Sequence, residues 1–180
     1  AKILTLRDPT ILPKAIKNPA EIAGQKAAQT RDGAAITKFL RWVDEEAPKG
    51  DVDELKASDH LEALRRENEE LRDLSFDSIS GAGPNGAIVH YRSSERTNRK
   101  LEKGTLYLID SGGQYVDGTT DITRMVAVGT PTDEQKRDCT RVLKGVIALS
   151  RAQFPKGILS PLLDAIARAH PQRALRVDFE

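Results

Sequence analysis

The segment LYLIDSGGQYVDGTTDITR (106–124) constrains the chain most, because it reads as two strand-like arms folded about a turn, with Asp110 and Asp121 11 residues apart. A hairpin centred between Tyr115 and Val116 predicts the two carboxylates roughly opposite each other, with Cβ atoms about 4.5–5.5 Å apart. Like charges at that spacing repel unless a cation sits between them. Asp110 follows the apolar run Leu106-Tyr107-Leu108-Ile109 and is expected inside the sheet, where an unpaired carboxylate is costly. Gly112, Gly113 and Gly118 allow close backbone approach beside both acids. Side-chain alternation puts Asp121 on one face with Thr119 and Thr123, and Arg124 on the other. Hydroxyls of Thr119, Thr120 and Thr123 are placed to orient the carboxylates. The bland alternative is that Asp is simply common in hairpin turns and at strand ends.

Hard oxygen ligands favour Mg or Mn, and an added imidazole favours Mn, Co, Zn or Fe. Two carboxylates cannot hold a hydrolytic pair of ions, which lie about 3.5–4 Å apart, without further ligands. His90, in GAIVHYR, is one of three histidines and is expected at the end of an apolar strand of the same sheet, where it could hydrogen-bond a substrate near the metals. An imidazole at a strand edge with no such role is the competing reading. His60 falls on a charged helix and reads as surface, His170 on a helix end, and Cys139 as a small core residue.

Around this segment the order of elements is α+β. Residues 1–17 mix apolar and basic residues with two prolines and predict an irregular or strand-like lead-in. Asn18-Pro19-Ala20-Glu21 supplies an N-cap, a first-turn proline and an acid three residues after the cap, so a long helix follows until Ala47-Pro48-Lys49-Gly50. A second helix from about Asp53 carries Leu55, Leu61, Leu64 and Leu71 on one stripe, with RRENEE-type charges on the solvated side. From Leu74 short apolar runs punctuated by glycine predict strands, and the continuous run 106–109 predicts a sheet covered on both faces. Thr132 with Gln135 caps a helix to about Phe154, and Ser160-Pro161 opens a last one that stops at His170-Pro171.

At 180 residues the chain is long enough for one core, and a net charge of +1 gives no field favouring nucleic acid or an anionic membrane. No run approaches the ~18 apolar residues of a membrane helix. One cysteine permits no intrachain disulfide, so the expected setting is cytoplasmic.

FDSISGAGPNGAIVHY followed by TLYLIDSGGQYVDGTTDITR resembles the catalytic domain of the Xaa-Pro aminopeptidases (aminopeptidase P), pita-bread metallopeptidases, and the likeness runs from about Leu12 through Arg168. It includes the PKAIKN segment and the VLKG helix. The resemblance implies the first half of a pita-bread fold, an antiparallel curved sheet with helices on its outer face. It divides the chain into a lead-in at 1–17, a partial catalytic domain at 18–169 and a divergent tail at 170–180. The implied activity is release of an N-terminal residue preceding proline at a dinuclear centre, usually manganese, with Co or Zn as alternatives. Asp110 would then be a bidentate ligand of one ion, Asp121 the ligand bridging both, and His90 the histidine touching the scissile peptide. Met125 stands where the family usually has threonine.

The family continues into an HGxGHGxG run and two glutamate ligands, whereas this sequence reads HPQRALRVDFE after Ala169, so three of the five implied ligands are not in it. His170, without surrounding glycines, is a poor substitute. The resulting expectation is a metallopeptidase fragment inactive or nearly so alone. A non-catalytic pita-bread module binding proteins or peptides is the alternative, and a homodimer covering the exposed half is another.

Overall fold

The computed structural model describes Leu6 and residues 8–169, so the tail from 170 and the reading of His170 lie outside the described residues. Two compact units separate at Thr130/Pro131.

The first unit begins with a five-residue helix α1, Ile11–Ala15, where an irregular or strand-like lead-in was expected. Pro13 sits inside its first turn, where its missing N–H costs no helical hydrogen bond. Helix α2, Pro19–Glu46, starts where the capping pattern places it: Asn18 accepts from the Glu21 N–H at 2.9 Å, and Glu21 accepts from the Asn18 N–H at 2.8 Å. A short 3-10 turn, Ala47–Lys49, closes it at Gly50, whose φ of 91° is left-handed. Asp53 caps helix α3, Glu54–Arg66, through the Lys56 N–H at 2.8 Å. The buried side of α3 is Glu54, Ala57, Leu61 and Arg65, so an acid and a base occupy core positions that the leucine stripe did not foretell. Leu71 is not on the helix at all; it opens strand β1, Leu71–Leu74.

Strands β2 (Ile79–Ala82), β3 (Leu106–Ser111) and β5 (Ile122–Ala127) form one antiparallel sheet in the order β2-β3-β5. Strand β4, Gly113–Tyr115, pairs antiparallel with β1 instead. Burial along β3 alternates, with Tyr107, Ile109 and Ser111 buried and Leu106, Leu108 and Asp110 only half-buried. The expectation of a sheet covered on both faces is therefore corrected: the apolar run has period two, and one face packs on the helices. Phe39, Val43, Leu61, Tyr107 and Ile109 join α2, α3 and the sheet in one core. Each such large side chain contributes about 1.5–3 kcal/mol on burial.

Two buried carboxylates tie this core together. Asp32 of α2 is fully buried and accepts four hydrogen bonds: from Arg65 Nε (2.6 Å) and Nη2 (3.1 Å), Tyr115 Oη (2.9 Å) and Thr120 Oγ1 (2.7 Å). Glu54 of α3 is equally buried and accepts from the 82–99 segment. Beside it, Ser80 donates its one proton to the Glu54 carbonyl at 2.7 Å, so the Tyr107 hydroxyl must donate to Ser80 Oγ, 2.8 Å away. Burial pushes the Tyr107 phenol far above its ordinary value, which keeps that donor protonated. His60 is half-buried, stacked on Trp42 with ring centroids 4.0 Å apart, where a surface position was expected.

The second unit holds α4, Asp133–Ser150, and α5, Ser160–Arg168, in mutual contact. The Thr132–Gln135 capping box is present, at 3.1 and 2.8 Å. Helix α4 stops at Ser150 rather than Phe154. Cys139 is exposed on it, not the core residue expected. It shares its helix face with Val142, Leu143 and Val146, which are exposed as well, so the apolar stripe that should bury it is uncovered among the described residues.

Because a lone buried charge is far costlier than a satisfied pair, Arg65→Ala is expected to lower stability by about 3–5 kcal/mol, and Asp32→Ala by a similar amount. Urea unfolding should show the double variant losing clearly less than the sum of the two; additive losses would refute the coupling.

Candidate metal centre

The register of the hairpin decides where the carboxylates sit. Asp110 pairs with Thr123, Ser111 with Ile122, and Gln114 bridges to Thr119. Tyr115 N–H donates to the Gly118 carbonyl at 2.8 Å, so the turn is centred between Val116 and Asp117, one residue later than predicted. The correction moves Asp121 from opposite Asp110 to the diagonal position, where neighbours on one face lie about 7–8 Å apart. Both acids keep the same face, since a shift of two residues preserves the side-chain alternation.

Tertiary contacts enforce this register. Thr120 points to the helix side, donates to Asp32 and accepts from the Gly113 N–H at 2.8 Å. Gln25 of α2 grips the backbone of Thr119 on both sides, accepting from its N–H at 3.1 Å and donating to its carbonyl at 2.6 Å. Arg31 pairs with Asp117 at the turn and with Glu70 at 2.7 Å, and its guanidinium lies 5.4 Å from the Tyr115 ring centre. Gly112 has no room for a side chain: a Cβ there would sit 1.9 Å from the Thr120 carbonyl oxygen and 2.3 Å from Ser75 Oγ.

On the other face, Asp110 is half-buried and Asp121 exposed. Thr123 Oγ1 donates to Asp110 Oδ1 at 2.8 Å, orienting that carboxylate as the sequence suggested. Thr119 instead donates to Gln114 Oε1 at 2.7 Å, and Thr120 serves the buried network, so one of the three threonines orients an acid of this face. Asp110, Thr123 and His90 line one cavity of about 320 Å³, walled otherwise by apolar residues including Ile79, Ile88 and Leu108. Asp121 is not among its lining residues.

His90 reaches this cavity from a turn rather than from a strand, which corrects the expected placement. Strand β2 ends at Ala82, and Gly83–Ala87 coils into a 3-10 turn. Gly81 and Gly86 then touch backbone to backbone; a Cβ on Gly81 would lie 2.8 Å from Gly86 N. The Gly-Pro-Asn-Gly sequence was the available signal for that turn. His90 has a φ of 54°, the only left-handed non-glycine among the described residues, a conformation costing of order 1–3 kcal/mol.

The donors on this face are carboxylate oxygens with one oriented by a hydroxyl, a set suited to a hard divalent cation. Among the described residues no cluster of three or more His, Cys, Asp or Glu side chains gathers at one point. Asp110 and Asp121 are two carboxylates on one face, and an ion held by them would take its remaining ligands from elsewhere.

Comparison with known proteins shows the family and the fold. Residues 23–179 match metallopeptidase family M24. A probable Xaa-Pro aminopeptidase P of Laccaria bicolor is 48% identical over 164 residues, 91% of this chain but 26% of its own length. An X-prolyl aminopeptidase of Caenorhabditis elegans, described as a cytosolic enzyme with a di-nuclear active site, superposes with a TM-score of 0.82 at 38% identity, over 89% of this chain and 26% of that one. The X-Pro aminopeptidase of Thermotoga maritima gives 0.77 at 29% identity, over 90% and 43%. The chain thus spans about a quarter of the length of the curated relative it matches. Its mixture of helices and antiparallel sheet is the pita-bread-like α+β fold of these neighbours, and the chain belongs to metallopeptidase family M24.

Proposed function

We propose that this chain is the aspartate-bearing part of a metal-dependent Xaa-Pro aminopeptidase, acting on peptides with proline at the second position. The observation that carries the reading is the shared face of Asp110 and Asp121, with Asp110 lining the same cavity as His90. Asp110 and Asp121 would hold the ions, most readily manganese, with cobalt or zinc as alternatives. Bound divalent metal supplies Lewis acidity and lowers the pKa of water into the neutral range. Thr123 holds the Asp110 carboxylate in one orientation through its hydroxyl hydrogen bond. His90 offers a ring N–H to the peptide carbonyl, and such a preorganised donor strengthens as negative charge develops on that oxygen. Ile79, Ile88 and Leu108 present an apolar wall beside Asp110.

Two carboxylates alone leave most of a divalent cation's coordination positions to other ligands, so the 180-residue chain by itself should hold manganese weakly and turn over little peptide. The proposed setting is cytoplasmic, as described for the Caenorhabditis elegans neighbour; no helix among the described residues is long and apolar enough to cross a membrane.

Isothermal titration with Mn²⁺ should give a Kd on the order of 10⁻⁴–10⁻³ M, the range of the weakest carboxylate sites. Asp110→Asn and Asp121→Asn should each abolish measurable binding, and Thr123→Val should weaken it by roughly tenfold through loss of the orienting hydroxyl. Binding unaffected by both Asn variants would defeat the assignment. In a manganese-supplemented assay on an Xaa-Pro peptide the chain alone should be nearly inactive; turnover comparable to that of an ordinary metallopeptidase would show that the two aspartates suffice. No manganese binding together with a defined protein partner would favour a non-catalytic binding module.

A further inference from the structure

The cavity wall that carries His90 is fastened at both ends to a single buried side chain. Glu54, the first residue of α3, is 0% exposed. Its Oε1 accepts from the Ala82 N–H at 2.7 Å and from Asn85 Nδ2 at 2.9 Å. Its Oε2 accepts from Tyr91 Oη at 2.8 Å and from the Arg99 N–H at 3.2 Å. All four donors lie on the chain just before, within or after the segment 82–91, and none of these hydrogen bonds comes from a cationic side chain. A buried carboxylate satisfied by neutral donors alone is ordinarily an expensive way to fill a core. Its four bonds instead do one geometric job, which is to fix the loop on both sides of His90.

The linkage to His90 is short. Tyr91, its immediate neighbour, is 6% exposed, and its N–H closes the turn onto the Ile88 carbonyl at 3.2 Å. Burial raises the Tyr91 phenol above its ordinary 10.0, so at neutral pH it remains the proton donor that Glu54 requires. Its oxygen then accepts from Thr97 Oγ1 at 3.0 Å and Asn85 Nδ2 at 2.8 Å. His90 itself is exposed and left-handed, with nothing of its own to hold that conformation. The segment must therefore be held by its flanks.

We propose that Glu54 is the positioning residue for His90: its buried carboxylate, acting through Tyr91 and Asn85, holds the 82–91 turn so that the imidazole faces the cavity shared with Asp110. The inference rests on the functional reading of His90 given above. Glu54→Gln preserves shape but turns an NH₂ toward at least one of the four donors. Tyr91→Phe removes a single hydroxyl and keeps the ring in the core. Should Glu54→Gln fail to fold, Tyr91→Phe decides the question.

Amide hydrogen exchange and NMR cross-relaxation on the metal-free chain supply the test. In Tyr91→Phe, amides of 85–91 should exchange about 10- to 100-fold faster, the loss expected for one hydrogen bond to a charged group. Amides in β3 and α3 should keep their wild-type protection, and cross-relaxation between the His90 ring and the residues lining its cavity should weaken. Uniformly faster exchange throughout residues 19–127, or unchanged cross-relaxation of the His90 ring, would reduce Glu54 to a core-filling role and overturn the proposal. A manganese titration of the same variants separates the two readings. No binding by the wild-type chain would sink the proposed function while the exchange result still decides the role of Glu54. Wild-type affinity retained in Tyr91→Phe, with His90 no longer broadened by the paramagnetic ion, would support both.

Discussion

A carboxylate with no access to water, Asp32, sets the geometry on which everything else depends. It is the point where α2, α3, the β4 end of the hairpin and the returning arm meet, through Arg65, Tyr115 and Thr120. Desolvating an acid is costly enough that every one of those partners must stay in place. Thr120 cannot reach Asp32 unless the hairpin turns at Val116–Asp117, so a helix residue remote in sequence chooses the strand register. That choice carries Asp121 to the diagonal of Asp110 and keeps both on the opposite face.

The same division of labour recurs at the start of α3. Glu54 gathers the loop that carries His90, as Asp32 gathers the hairpin that carries the two aspartates. Buried acids thus stand behind the candidate site on the helical side, while the acids proposed to meet a cation stand on the accessible side. Period-two burial along β3 makes this possible, because Tyr107, Ile109 and Ser111 face the core while Leu108 and Asp110 face the cavity. Gly112 completes it: only a residue without a side chain lets the Thr120 carbonyl pass so close.

What the sequence revealed and what it hid follow from the range of the forces involved. The starts of α2, α3 and α4 were legible because a cap and its partner lie three residues apart. The placing of both aspartates on one face was legible because alternation is local, and it survived a misplaced turn because moving the turn by one residue shifts the pairing by two. Arg65 was read among the solvated RRENEE charges and Asp32 and Glu54 went unremarked, since nothing near them in sequence announces partners 33, 37 or 88 residues away. His90 was given a strand because Ala87-Ile88-Val89 is a short apolar run like those of the strands around it. The contact between Gly81 and Gly86 that coils the preceding residues is a tertiary event, and only Gly-Pro-Asn-Gly hinted at it. Membership of family M24 gives the proposed chemistry its frame, while the register gives it a place on this chain.

The central claim is that one face of the 106–127 hairpin receives a divalent cation between Asp110 and Asp121. Residue-resolved NMR during a substoichiometric Mn²⁺ titration tests it directly, because paramagnetic broadening falls steeply with distance from the bound ion. Signals of Asp110, Asp121 and Thr123 should broaden first, with those of the buried Asp32 network affected later. Broadening that begins elsewhere, or that spreads evenly over the exposed acids, would contradict the account.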